Sequence, residues 1–220
     1  VGKTVDTVVR VRDFFRTRPF GAEKPDAVLV LFNDKVDRIL YLVEVEAAGH
    51  AAFHASAITK AVLKDELRTG SLLHLARIGK AAAEDHPDLA GKFRIPSKNS
   101  REQDFRGGAH GIATVAAANK ELLTEHGMRE GLLDTLTNQL DAYDRAILEG
   151  NAGRAAHTGA RRELKVRSSE GLRMVRQLEG MLVLRFPDDP NLKGAWESAR
   201  NVAWPATPAP KSPPHEETVA

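Results

Sequence analysis

Apolar residues recur at alternating three- and four-residue steps along most of this chain, the period of an amphipathic helix rather than the two-residue alternation of a half-buried strand. The clearest run is Leu133, Leu136, Leu140, Tyr143 and Ile147, which predicts a helix over residues 129–149. Gly150-Asn151-Ala152-Gly153 follows, and its two glycines predict a stop or a bend. Beyond it, Ala156, Ala160, Leu164, Ser168, Leu172, Val175, Leu178 and Leu182 line one face of a further helix. That stripe begins small and ends large, so its first part suits close approach to a neighbour. The helix stops before Pro187, and Asp189-Pro190 reads as the start of a short last helix holding Trp196.

Upstream, Ile112, Val115, Asn119, Leu122 and His126 share a face, which gives a helix over 104–126 weakened by Gly107-Gly108 and capped by Gly127. Ile58, Val62, Leu67, Leu72, Leu75 and Ile78 form a less regular helical pattern over 56–83. Val5, Val8, Val9 and Phe15 suit a short N-terminal helix ending near Pro19. Residues 26–48 are ambiguous. Ala27–Phe32 and Ile39–Glu46 are β-prone runs with Asn33-Asp34-Lys35 between them as a turn, yet Val28, Phe32, Val36, Ile39 and Val43 also trace a helical face. A lone hairpin needs something to pack on, so helix is the preferred reading and the hairpin its alternative.

Composition narrows the class. The chain has 220 residues, 42% hydrophobic and 28% charged, enough to fold around a core of its own. Only 5% of residues are aromatic, which favours helix over sheet. The expected fold is all-α: an antiparallel up-and-down bundle of five to seven helices, forming one domain over 1–204. The proline-rich stretch 205–220 is expected to be a disordered tail. With no cysteine, disulfides, thiolate metal sites and cysteine nucleophiles are excluded. No apolar run approaches the ~20 residues that cross a bilayer, and the opening residues lack a secretory h-region, so no membrane association and a cytoplasmic location are expected. A net charge of +2 names no partner.

Candidate chemistry is sparse. Glu46, His50 and His54 are spaced four apart on one helix face, residue types that ligate metals, and adjacent members can chelate one ion. Glu121, Glu125 and His126 on another helix are the residues available to complete such a shell. No Glu-x-x-His or His-Glu-x-x-His occurs, so the di-metal bundle and zincin signatures are missing. His74 and His126 lie on or beside apolar stripes, where histidine usually serves the core. Gly2-Lys3-Thr4 matches only the end of a phosphate-binding loop. No Gly-x-Ser-x-Gly or Gly-x-Gly-x-x-Gly is present.

Arg161, Arg162, Lys165 and Arg167 open a locally basic stretch that extends to Arg173 and Arg176, a candidate polyanion-binding face without interleaved aromatics. Arg154, His157 and Arg161, at three- and four-residue spacing, make either a polar contact or an anion pocket where helices cross. Long amphipathic helices account for nearly every residue, so the leading reading is a non-enzymatic interaction or scaffold protein acting through self-association or a protein partner, with no cofactor. The alternatives are a metal-dependent bundle enzyme using Glu46, His50 and His54, and an electrostatic binder of nucleic acid or another polyanion through the 161–176 helix.

Overall fold

The computed structural model describes residues 2–18, 26–185 and 187–201. Among them the chain is all-α: α1 Gly2–Thr17, α2 Ala27–Thr69, α3 Ser71–Asp85, a 3-10 turn at Pro87–Leu89, α4 Glu102–Ala118, α5 Lys120–Glu125, α6 Leu132–Arg185 and α7 Pro190–Arg200. The proline-rich stretch 205–220 lies outside the described residues. The β-prone run near residue 30 is helical, inside the 43-residue α2. Tertiary burial outweighs its β propensity, because Phe32, Val36, Ile39 and Leu42 are all buried on one helical face.

Two boundaries depart from the periodicity. The predicted break at Gly150–Gly153 is absent, and α6 runs unbroken for 54 residues. The helix over 104–126 is instead divided at Asn119, not at Gly107-Gly108, which lie inside α4. Asn119 donates its side-chain amide to the Val115 carbonyl at 2.8 Å, the kind of local side-chain bond that ends a helix. Gly127 does close α5 as expected, with φ +92° and the Met128 N–H reaching back to the Leu123 carbonyl at 2.8 Å. Asp189 caps α7 by accepting from the Leu192 N–H at 2.9 Å, with Pro190 in the first turn.

The chain forms two compact units, Val1–Val43 with Arg161–Ala220, and Glu44–Ala160, so α2 and α6 each contribute residues to both. In the first unit, Val5, Val8, Val11 and Phe14 of α1 are buried, as are Leu164, Val175, Leu178 and Leu182 of α6. Trp196 of α7 is buried too, its ring edge-on to Phe14 at 5.4 Å. Ion pairs add to this core: Arg38 grips Glu163 with two bonds of 2.9 and 3.1 Å, and Arg185 grips Asp26 with two of 2.6 and 2.9 Å.

In the second unit the core gathers Leu67, Leu72, Leu75, Phe105, Ile112, Leu123, Leu136, Leu140 and Tyr143. Arg106 and His110 of α4 both bind Asp144 of α6, at 2.7–2.9 Å and 3.1 Å. Ile58 and Val62, part of the less regular apolar pattern over 56–83, are 69% and 52% exposed although the stretch is helical. Over residues 44–66 of α2 the buried positions are Gly49 and Ser56, small residues that a hydrophobicity pattern does not register. His74 is likewise exposed rather than at the core.

Candidate functional site

The buried small residues explain how α2 and α6 meet in the second unit. A Cβ on Gly49 would stand 2.6 Å from the His157 nitrogen and 2.8 Å from the Gly153 carbonyl oxygen. One on Gly153 would stand 2.8 Å from the Phe53 nitrogen and 2.9 Å from the Gly49 oxygen. Backbone therefore packs on backbone here, which only glycine permits. One turn away, Ser56 donates its buried hydroxyl to the Ala146 carbonyl at 2.7 Å, in space that a Cβ on Gly150 would occupy. The glycines that cost helix propensity are the residues that let the helices touch.

This crossing gathers histidines from both helices. His50 and His54 lie one turn apart, and their Nε2 atoms stand 3.1 Å from each other. His157 approaches from α6, its ring centre 5.3 Å from that of His50. Its Nδ1–H donates to the Glu46 carbonyl at 3.3 Å, and the Glu46 carboxylate lies 3.6 Å from the same nitrogen. With Phe53, Arg154 and Thr158, the three imidazoles line a concavity of about 350 Å³. Arg154 has no carboxylate partner among the described residues.

Of the sequence-derived metal set, the structure brings His50 and His54 together and turns Glu46 toward His157. Among the described residues no group of three or more histidines, aspartates or glutamates is placed to hold a metal ion. His126 stands beside Asp85, at 3.9 Å, and His86. The spacing of Arg154 and His157 marks them as neighbours, but that they share a concavity with His50 and His54 follows from Gly49 and Gly153, more than a hundred positions apart in the chain. Gly2-Lys3-Thr4 forms the first turn of α1.

The basic stretch lies in the first unit. Arg161, Arg162, Lys165, Arg173 and Arg176 are all exposed, and none has a carboxylate partner among the described residues. At about 100° per residue they occupy one side of α6, away from the buried Leu164, Ser168, Val175 and Leu178. The acids of the same stretch are engaged elsewhere. Glu163 accepts from Arg38, and Glu170 accepts from Lys35 at 2.9 Å. Arg167, part of the sequence-derived polyanion set, also belongs to this network, bonded to Glu163 at 3.3 Å and Glu170 at 3.2 Å. These hydrogen bonds hold both carboxyls below the usual carboxylate range, with Arg38 the main cause for Glu163 and Lys35 for Glu170.

No helix among the described residues is long and apolar enough to cross a membrane. No family model matches the chain, and neither a curated protein nor a solved structure matches it.

Proposed function

We propose that this protein is a helical interaction module that acts by binding rather than by turnover, and that the surface it uses is the cationic side of α6, with the phosphate backbone of a nucleic acid as its partner. The observation that carries the reading is the row of Arg161, Arg162, Lys165, Arg173 and Arg176, exposed and uncompensated, while the acids of the same stretch are bonded to Lys35, Arg38 and Arg167. The row covers about 22 Å of helix axis at about 1.5 Å per residue, enough to meet several phosphates along one strand. A lipid surface fits less well, because an interfacial helix must offer an apolar face beside its cations. Here the main apolar stripe of α6, Leu164, Val175, Leu178 and Leu182, is buried in the core, and what stays exposed near the cations is the scattered set Val166, Val183 and Leu184. The lack of interleaved aromatics argues for backbone contact without reading of sequence.

The test is fluorescence anisotropy on a short labelled DNA duplex, comparing the protein with an Arg161→Glu, Arg162→Glu, Lys165→Glu variant. These side chains are exposed, so the helical circular dichroism should stay unchanged while duplex affinity falls by at least tenfold. Unchanged duplex affinity in a folded variant removes the reading, as does binding only to anionic vesicles. A second reading, self-association through α2, is favoured by the uncovered Ile58 and Val62. Light scattering that shows a monomer at high concentration removes it.

A further inference from the structure

The crossing of α2 and α6 in the second unit is separate from the cationic face and carries its own consequence. The groups that line its concavity are His50 and His54 from α2, and Arg154, His157 and Thr158 from α6, with Phe53 as an apolar wall. No carboxylate of the described residues lines it, and the Glu46 carboxylate lies 3.6 Å from Nδ1 of His157. The concavity thus presents one uncompensated guanidinium, three imidazoles and a hydroxyl. A bare cation suits it poorly: the donors are too dispersed for a three-ligand shell, and the guanidinium repels positive charge. A tetrahedral oxyanion is large enough to reach donors several ångströms apart and is attracted by that guanidinium.

We propose that this concavity binds a phosphate group, through Arg154 and the imidazoles of His50, His54 and His157. The chemistry is shared by inorganic phosphate and by the phosphoryl group of a phosphomonoester.

The hydrogen bonding sets a further property. In the Nε2–Nε2 contact one ring donates and the other accepts, so one of His50 and His54 is neutral when the site is empty. His157 has its Nδ1–H committed to the Glu46 carbonyl, so its Nε2 donates to an anion only when the ring carries a second proton. A phosphate oxygen therefore meets one donor from the His50–His54 pair and, on His157, the Nε2 only of a doubly protonated ring. The charged and titratable groups involved are Glu46, His50 and His54 on α2 and Arg154 and His157 on α6. A metal instead needs unprotonated nitrogens and releases protons on binding.

The experiment is isothermal titration calorimetry on the untagged full chain, with inorganic phosphate, with glycerol phosphate and with zinc chloride. Each titration is made in two buffers of different ionisation enthalpy. The proposal expects saturable one-to-one binding of inorganic phosphate or glycerol phosphate, and the better ligand of the two identifies the source of the group. Arg154→Met and His54→Phe should each weaken that binding at least tenfold, and both positions are exposed, so folding should survive. Absence of binding by both phosphates overturns it. Binding that Arg154→Met leaves unchanged, or zinc binding with proton release and no phosphate binding, does so too.

Discussion

Gly49 and Gly159 separate the two things a helical glycine can do. At Gly159 nothing lies within 4 Å of an added Cβ, so Gly159→Ala should only gain helix propensity and stabilise the fold by about 1 kcal/mol. At Gly49 the same methyl meets backbone atoms at 2.6 and 2.8 Å that cannot rotate aside. Gly49→Ala should therefore destabilise by up to about 2 kcal/mol, an overpacking cost of about 1–3 kcal/mol less a propensity gain of about 1 kcal/mol. Urea unfolding of the two variants side by side checks the opposite signs. Asp144 is a second residue with a measurable signature. Hydrogen bonding from Arg106, helped by His110, holds its carboxyl below the ordinary value of 3.8. Its contribution to stability is therefore complete above that ordinary value and is lost as the pH falls through the lowered one. Asp144→Asn should be less stable than the parent at neutral pH and should lose less stability on acidification below about pH 4. Equal acid sensitivity of the two proteins would contradict the assignment.

At the scale of elements, what the chain reveals by itself divides along a physical line. Stripes of large apolar residues are legible, so Leu136, Leu140, Tyr143 and Ile147 on α6 are buried as their spacing predicts. So are caps with local chemistry: Gly127, and Asp189-Pro190, where Asp189→Ala should cost about 1 kcal/mol by thermal melting, with no loss contradicting the cap. Gly150–Gly153 is read as a break because each glycine carries an unfavourable helix propensity of about 1 kcal/mol relative to alanine. That local cost is overridden by a tertiary contact with Gly49 and Ser56, residues of another helix about a hundred positions away. The same cause leaves Ile58 and Val62 exposed. Where the inward positions are glycine and serine, the largest apolar residues nearby are on the outer side, and periodicity alone does not give the buried face. The histidine concavity is hidden for the same reason, since it needs the crossing to exist. The cationic row is legible by spacing, and Arg167 leaves it for acids four and three positions away on the same helix; that Lys35 and Arg38 also engage those acids is not legible, because they come from a helix far back in the chain.

For the molecule as a whole, charge is segregated in a way that the net charge does not reveal. A net charge of +2 conceals one helix side on which five cations face outward while the neighbouring acids are bonded inward. That distribution makes the binding account quantitative. If Arg161, Arg162, Lys165, Arg173 and Arg176 each neutralise one phosphate of a DNA duplex, log affinity should fall with log salt concentration at a slope of about −4.5, at about −0.9 per phosphate. Removing Arg161, Arg162 and Lys165 should make the slope shallower by about 3. The most direct measurement is this salt dependence for the unaltered protein, followed by anisotropy on one duplex from about 50 to 200 mM salt. The account predicts an affinity loss of about 500-fold across that range. No binding at the lowest salt, or binding that salt leaves unchanged, would contradict it.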